Sequence, residues 1–146
     1  MKKIVFLDMD GPLANFNAGV GRENFEPDPP EMFVKGFFRS LPVVPGAREA
    51  VTQLLQIDSL DLYIGSKHTT SNFNCASEKV EWIAAEFPEL LKKMLLICDK
   101  TLLKGDYLID DDLRWKGFDG LFIHFDPKNP EKSWGEIVEF MKSNHA

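Results

Sequence analysis

The segment Ile4-Val5-Phe6-Leu7-Asp8-Met9-Asp10-Gly11 decides how this chain is read. Four apolar residues in a row describe a strand covered on both faces, as in a parallel sheet. Two carboxylates emerge where that strand ends, and the glycine lets the chain turn sharply. In open α/β sheets the carboxyl edge is where ligands bind. Paired acids at such an edge imply a hard cation, a covalent nucleophile, or both.

A similar pattern returns later. Tyr107-Leu108-Ile109 runs directly into Asp110-Asp111-Asp112. In a parallel sheet both strand ends lie on one edge, so acids far apart in sequence converge. Converging carboxylates repel unless a cation sits among them. Oxygen ligands with no neighbouring His or Cys favour magnesium over zinc. A calcium-binding EF-hand loop starting at Asp8 is excluded. It requires Gly at its sixth position and Glu at its twelfth, where this chain has Leu13 and Gly19.

Strands and helices alternate along the rest of the chain. Lys3–Leu7, Leu60–Gly65, Leu95–Ile97, Tyr107–Ile109 and Leu121–Phe125 read as strands. Helices are expected over 14–20, 31–39, 47–55, 77–87 and, after Pro88, through Met94. On the 77–87 helix the apolar stripe is Val80, Ile83, Ala84 and Phe87. Ser133 with Glu136 reads as a capping box opening the last helix. The pattern predicts an α/β fold: a doubly wound, Rossmann-like parallel sheet of about five strands in a single domain, 1–146. Residues 13–44, with Pro27, Pro29 and Pro30, read as a small helical cap insertion after strand one.

Composition narrows the function. The 146 residues are 44% hydrophobic and 27% charged, with 12 Phe and 3 Trp, enough for a core. A net charge of −6 argues against a nucleic-acid polymer as partner. No apolar run reaches membrane-spanning length. Asp8 and Asp10 arrive too early for a signal peptide, and two cysteines make no disulfide framework, so a cytoplasmic protein is expected. Cys75 and Cys98 read as packing residues, and His124 and His145 as uninvolved.

The residues resemble the haloacid dehalogenase superfamily of phosphotransferases. Asp8-Met9-Asp10-Gly11 is similar to its first motif, Ser66 to the second, Lys100 to the third and Asp110-Asp111 to the fourth. Within it, Phe6 to Gly11, Pro45-Gly46, Asp99-Lys100-Thr101 and Leu108 to Asp111 look most like 5'(3')-deoxyribonucleotidases. The resemblance implies a Mg2+-dependent phosphomonoester hydrolase working through an aspartyl-phosphate. Asp8 would be the nucleophile and Asp10 the proton carrier. Ser66 and Lys100 would hold the phosphoryl group, with Lys104 a less well-spaced competitor of Lys100. Metal ligands would be Asp8, the Asp10 carbonyl and one or both of Asp110 and Asp111, the family pattern favouring Asp111. Gly11, Lys67 and His68 lie at substrate-contacting positions, although Lys67 also reads as a loop charge. Phe37 or Phe38 would stack on a base, unless they form the cap's own core. The expected partner is a small phosphorylated substrate, a nucleoside monophosphate first, acted on by a monomer or homodimer. A broad small-metabolite phosphatase is the alternative, and a phosphate- or metal-binding module without turnover is the third reading.

Overall fold

A computed structural model describes residues 1–146. Its elements are β1 (Lys3–Leu7), α1 (Phe16–Val20), α2 (Ala47–Leu55), β2 (Leu60–Ser66), α3 (Cys75–Glu86), β3 (Met94–Leu96), β4 (Tyr107–Asp110), β5 (Leu121–His124) and α4 (Pro130–His145). Single 3-10 turns cover Pro30–Phe33, Pro88–Leu90, Lys100–Leu102 and Leu113–Gly117. No helix is long and apolar enough to cross a membrane.

The five strands form one sheet in the order β3-β2-β1-β4-β5, and every pair is parallel. This is the expected doubly wound α/β architecture. β1 is central, and alternate residues feed opposite faces. Val5 and Leu7 join a core cluster of 30 buried residues, whereas Phe6 joins one of five with Leu103, Leu108, Trp115 and Phe118. The unequal clusters show that most of the helical packing covers one face. The strand order reverses between β1 and β4, which opens a crevice at their carboxyl ends. Leu7 pairs with both Ile64 and Ile109, so the residues that follow these three leave the sheet at one level.

Several local expectations are corrected. Strand ends shift by about a residue on β2, β3, β4 and β5. The expected 31–39 helix contracts to the turn at Pro30–Phe33, followed by Gly36 at φ +93°, a conformation that ends a helix. The helix after Pro88 is likewise one 3-10 turn. α4 starts at Pro130, whose ring fixes the φ of a first helical turn and which lacks an N–H that would have no partner there. Ser133 therefore lies inside the helix. Its hydroxyl accepts from the Asp126 N–H at 3.0 Å and donates to the Asp126 carbonyl at 3.3 Å, so no capping box forms. On α3 the buried stripe is Cys75, Glu78, Lys79, Trp82 and Ile83, while Val80 is exposed.

Residues 13–44 add no strand to the sheet. The segment leaves and rejoins the body at one neck, where the Asn15 N–H donates to the Pro42 carbonyl and the Val44 N–H to the Leu13 carbonyl, both at 2.8 Å. Inside it Phe37 packs edge-on to Phe16 and Phe38, with ring centroids 5.3 and 5.1 Å away. These rings merge with the larger core. Glu78 of α3 fastens the segment from below: its carboxylate accepts from the Gly36 N–H at 2.9 Å and the Arg39 N–H at 3.1 Å.

Candidate active site

Strand register carries Asp8, Ser66 and Asp110 to one edge. The Asp8 N–H donates to the Ile109 carbonyl at 2.9 Å, which locks the end of β1 against β4. Lys100 reaches them from the turn after β3. Asp99 caps that turn, accepting from the Thr101 N–H at 2.9 Å. The Lys100 ammonium then bridges Asp8 Oδ1 and Asp110 Oδ2, each at 2.6 Å, and is 1% exposed. Asp110 Oδ1 accepts from the Asp112 N–H at 2.9 Å, so both oxygens of Asp110 have protein partners. Gly11 stands at φ +107°, and a Cβ there would lie 2.5 Å from the Asp111 carboxyl carbon. Only glycine leaves Asp111 its place.

The charges do not balance. Carboxylate oxygens of Asp8, Asp110 and Asp111 lie within 4.8 Å of one another. Burial, then Asp110, pushes the Asp8 carboxyl up to about 7 against the opposing pull of Lys100. Burial, then Asp8 and Asp110, pushes Asp111 up to about 10. Burial alone would lower Lys100, but the two aspartates outweigh it and hold it above the usual lysine range. One ammonium thus neutralises less negative charge than the cluster carries. An all-oxygen donor set with surplus negative charge fits a hard divalent cation.

Lys79, which the reading of the sequence passed over, completes the site. Its ammonium donates to Asp10 Oδ2 at 2.9 Å, to Ser66 Oγ at 2.8 Å and to the Lys67 carbonyl, and it sits 5.1 Å from the centre of the Phe38 ring. Burial raises the Asp10 carboxyl, with Lys79 opposing. The signal was present in the order Cys75-x-x-Glu78-Lys79-x-x-Trp82-Ile83. Two charged residues occupy the i+3 and i+4 places of an apolar helical stripe, and Lys and Glu are rarely buried unless paired.

A cavity of about 600 Å³ opens over these groups. Asp8, Asp10, Lys79, Lys100, Asp110 and Asp111 line it. Its large apolar lining is Phe16, Phe25, Met32, Phe38 and Trp115. Lys67, His68 and Arg114 also face it, and the His68 Nδ1 atom is buried without a hydrogen-bond partner. Phe38 lines the cavity and Phe37 does not, although both are buried in the segment's aromatic cluster. Ser66 is fully buried at the end of β2. Cys75 is buried and its thiol is raised by that burial, as befits a packing residue, whereas Cys98, expected to pack, is exposed. His145 packs on Tyr107, away from the site.

Known proteins resemble this chain along much of its length. The chain is 28% identical over 139 positions to the human cytosolic-type 5'(3')-deoxyribonucleotidase, an alignment taking in 73% of this chain and 69% of that one. A putative 5'(3')-deoxyribonucleotidase of Bordetella bronchiseptica is 43% identical over 77 residues, 52% of this chain and 41% of its own length. The chain therefore spans less than half of the bacterial relative. A crystal structure of a haloacid dehalogenase-like hydrolase from Xanthomonas campestris superimposes with a TM-score of 0.58 at 12% identity, covering 98% of this chain and 93% of that one, and shares the fold. The family described as 5' nucleotidase, deoxy (pyrimidine), cytosolic type C protein matches residues 31–139, and to that family this chain belongs.

Proposed function

We propose that the chain is a magnesium-dependent phosphomonoester hydrolase that works through an aspartyl-phosphate and acts on deoxyribonucleoside monophosphates. The observation that carries this reading is the Lys100 ammonium between Asp8 and Asp110, with Asp10 alongside, at the crevice where the strand order reverses. Asp8 is the nucleophile, its oxygen aimed beside a fixed cation that steadies the incoming phosphoryl group. Asp10 gives a proton to the departing ester oxygen and then takes one from water. Its raised pKa favours the protonated form that the first step needs.

Asp8, Asp111 and the Asp10 backbone carbonyl would hold the magnesium ion. Both oxygens of Asp110 already have partners, which supports Asp111 as the side-chain ligand. Bound there, the ion would supply charge neutralisation on the phosphoryl oxygens. The apolar lining of the cavity suits a base, and the half-buried Phe16 and Phe25 are the rings available to it. Purified protein releases phosphate from deoxyribonucleoside monophosphates in magnesium buffer under this reading. Asp8→Asn lowers kcat at least about 10³-fold, and undiminished turnover in that variant refutes the mechanism.

A broader small-metabolite phosphatase is the second reading, favoured by one observation. The human alignment has 139 positions but takes in only 73% of this chain, so that protein carries residues within the aligned span that this one lacks. Ranking kcat/KM across nucleoside and sugar phosphates separates the two.

A further inference from the structure

Lys79 is used by neither half of the reaction above, yet its three ammonium protons all have acceptors: Asp10 Oδ2, Ser66 Oγ and the Lys67 carbonyl. The side chain is 1% exposed. Burying a charge at an apolar position of a helix costs several kcal/mol unless its partners are well placed. The partners it has found are two side chains of the reaction and the backbone between them and the cavity.

Two constraints follow from the donor geometry. Asp10 has Oδ2 committed to an ammonium, while Oδ1 is buried with no partner. A proton on Oδ2 would face N–H donors, so the proton belongs on Oδ1. Ser66 accepts from Lys79 through Oγ, and its own hydroxyl proton has only the Lys67 carbonyl, 3.4 Å away. That distance is long for an O–H donor, so the proton is free to turn to a better acceptor.

We propose that Lys79 is a positioning residue: it fixes which oxygen of Asp10 carries the transferable proton. The proposal rests on the phosphomonoester reading. In the step concerned, an Asp8 oxygen bonds to phosphorus while the bond from phosphorus to the ester oxygen breaks. The electron pair goes to that oxygen, and the proton on Asp10 Oδ1 follows it. Water then attacks phosphorus, the bond to Asp8 breaks, and Asp10 regains its proton from the water.

A leaving group that needs no proton exposes the role. Thymidine 5'-monophosphate expels an alkoxide, whereas p-nitrophenyl phosphate expels a stable phenolate. In Lys79→Met, kcat/KM falls about 100-fold with the nucleotide and less than about tenfold with the aryl ester. Equal falls with both esters assign Lys79 a merely structural role and overturn the proposal, as does an unchanged nucleotide rate. If Lys79→Met melts below the assay temperature, Lys79→Arg carries the test. Its guanidinium keeps the charge but presents a planar fork to acceptors arranged for an ammonium, so a smaller split of the same sign is expected. A wild-type ratio in folded Lys79→Arg overturns the proposal. Asp8→Asn run alongside separates the two levels: if it turns over both esters the reaction itself is misassigned, and if it is dead while the Lys79 ratios stay wild type only the positioning role fails.

Discussion

The carboxyl edge of the sheet and the segment over it are held by different means. At the edge, backbone hydrogen bonds repeated strand by strand set where Asp8, Ser66 and Asp110 emerge, and neighbouring strands lie about 4.8 Å apart in any sheet. Over it, residues 13–44 have one short helix, one 3-10 turn and a nest of phenylalanines, fastened by the neck and by Glu78. Where spacing comes from the backbone, a side chain can be removed without moving its neighbours. Where it comes from packing, a side chain removed anywhere shifts the rest. Damage at the edge should therefore appear in the chemistry, and damage in the segment should appear in substrate binding.

Lys100→Met strikes the edge hardest after the nucleophile itself. It leaves Asp8 and Asp110 buried without their cation, so kcat should drop about 10²–10³-fold and the denaturation midpoint should shift by the equivalent of about 3 kcal/mol. A variant with normal kcat would show that the bridge is only a strut. Gly11→Ala tests the same edge through its backbone. The added methyl meets Asp111 and needs a φ that alanine avoids. A roughly tenfold rise in the magnesium concentration needed for half-maximal rate is expected, about 1.4 kcal/mol of lost affinity, with little change in KM at saturating metal. An unchanged metal requirement would remove Asp111 from the ligand set.

The raised carboxyls give the edge a pH signature that the segment lacks. Folded Asp8 and Asp111 hold their protons up to about 7 and about 10, against 3.8 for an ordinary aspartate. Between those values the folded chain binds more protons than the unfolded one, so stability is present at the acid end and lost as pH rises. In EDTA the melting temperature should fall by roughly 5 °C or more between pH 5.5 and 8.5, and magnesium should reduce the fall. A melting temperature that rises over that range in EDTA contradicts the charge imbalance. Glu78→Gln is the mildest test and belongs to the segment. Weakening its hold on Gly36 and Arg39 should raise KM a few-fold, cost about 1 kcal/mol of stability and leave kcat within about twofold. A kcat defect larger than the KM defect would erase the distinction between the two regions.

The same division explains what could be read from the residues alone. β1 was legible because four apolar residues ending in acids have few other structures open to them, and β4 repeated the signal. Asp8 and Asp110 lie together because parallel strands leave their acids on one edge, and Lys100 reaches them from the turn after β3. The segment was harder to read. Its aromatic residues satisfy helical spacing over 31–39, yet Gly36 and the pull of Glu78 on the backbone win, and Phe37 turns into the nest while Phe38 faces the cavity. Lys79 escaped because hydrophobicity ranks Val80 above it, whereas the partners that make its burial favourable lie 13 and 69 residues away. The local stripe from Cys75 to Ile83 marks Lys79 as buried, but only the distant contacts show what its ammonium meets there.

The neck formed by Leu13, Asn15, Pro42 and Val44 gives the intervening stretch a single entry and exit, although its inner side chains share the body's core. Its entry and exit are closed on each other by two backbone hydrogen bonds, and neither end belongs to a sheet strand. A stretch of another length could be spliced in between those four residues without altering the register of any strand. Such a change would leave the strand register that sets Asp8, Ser66 and Asp110 in place, while replacing Phe38 beside the Lys79 ammonium.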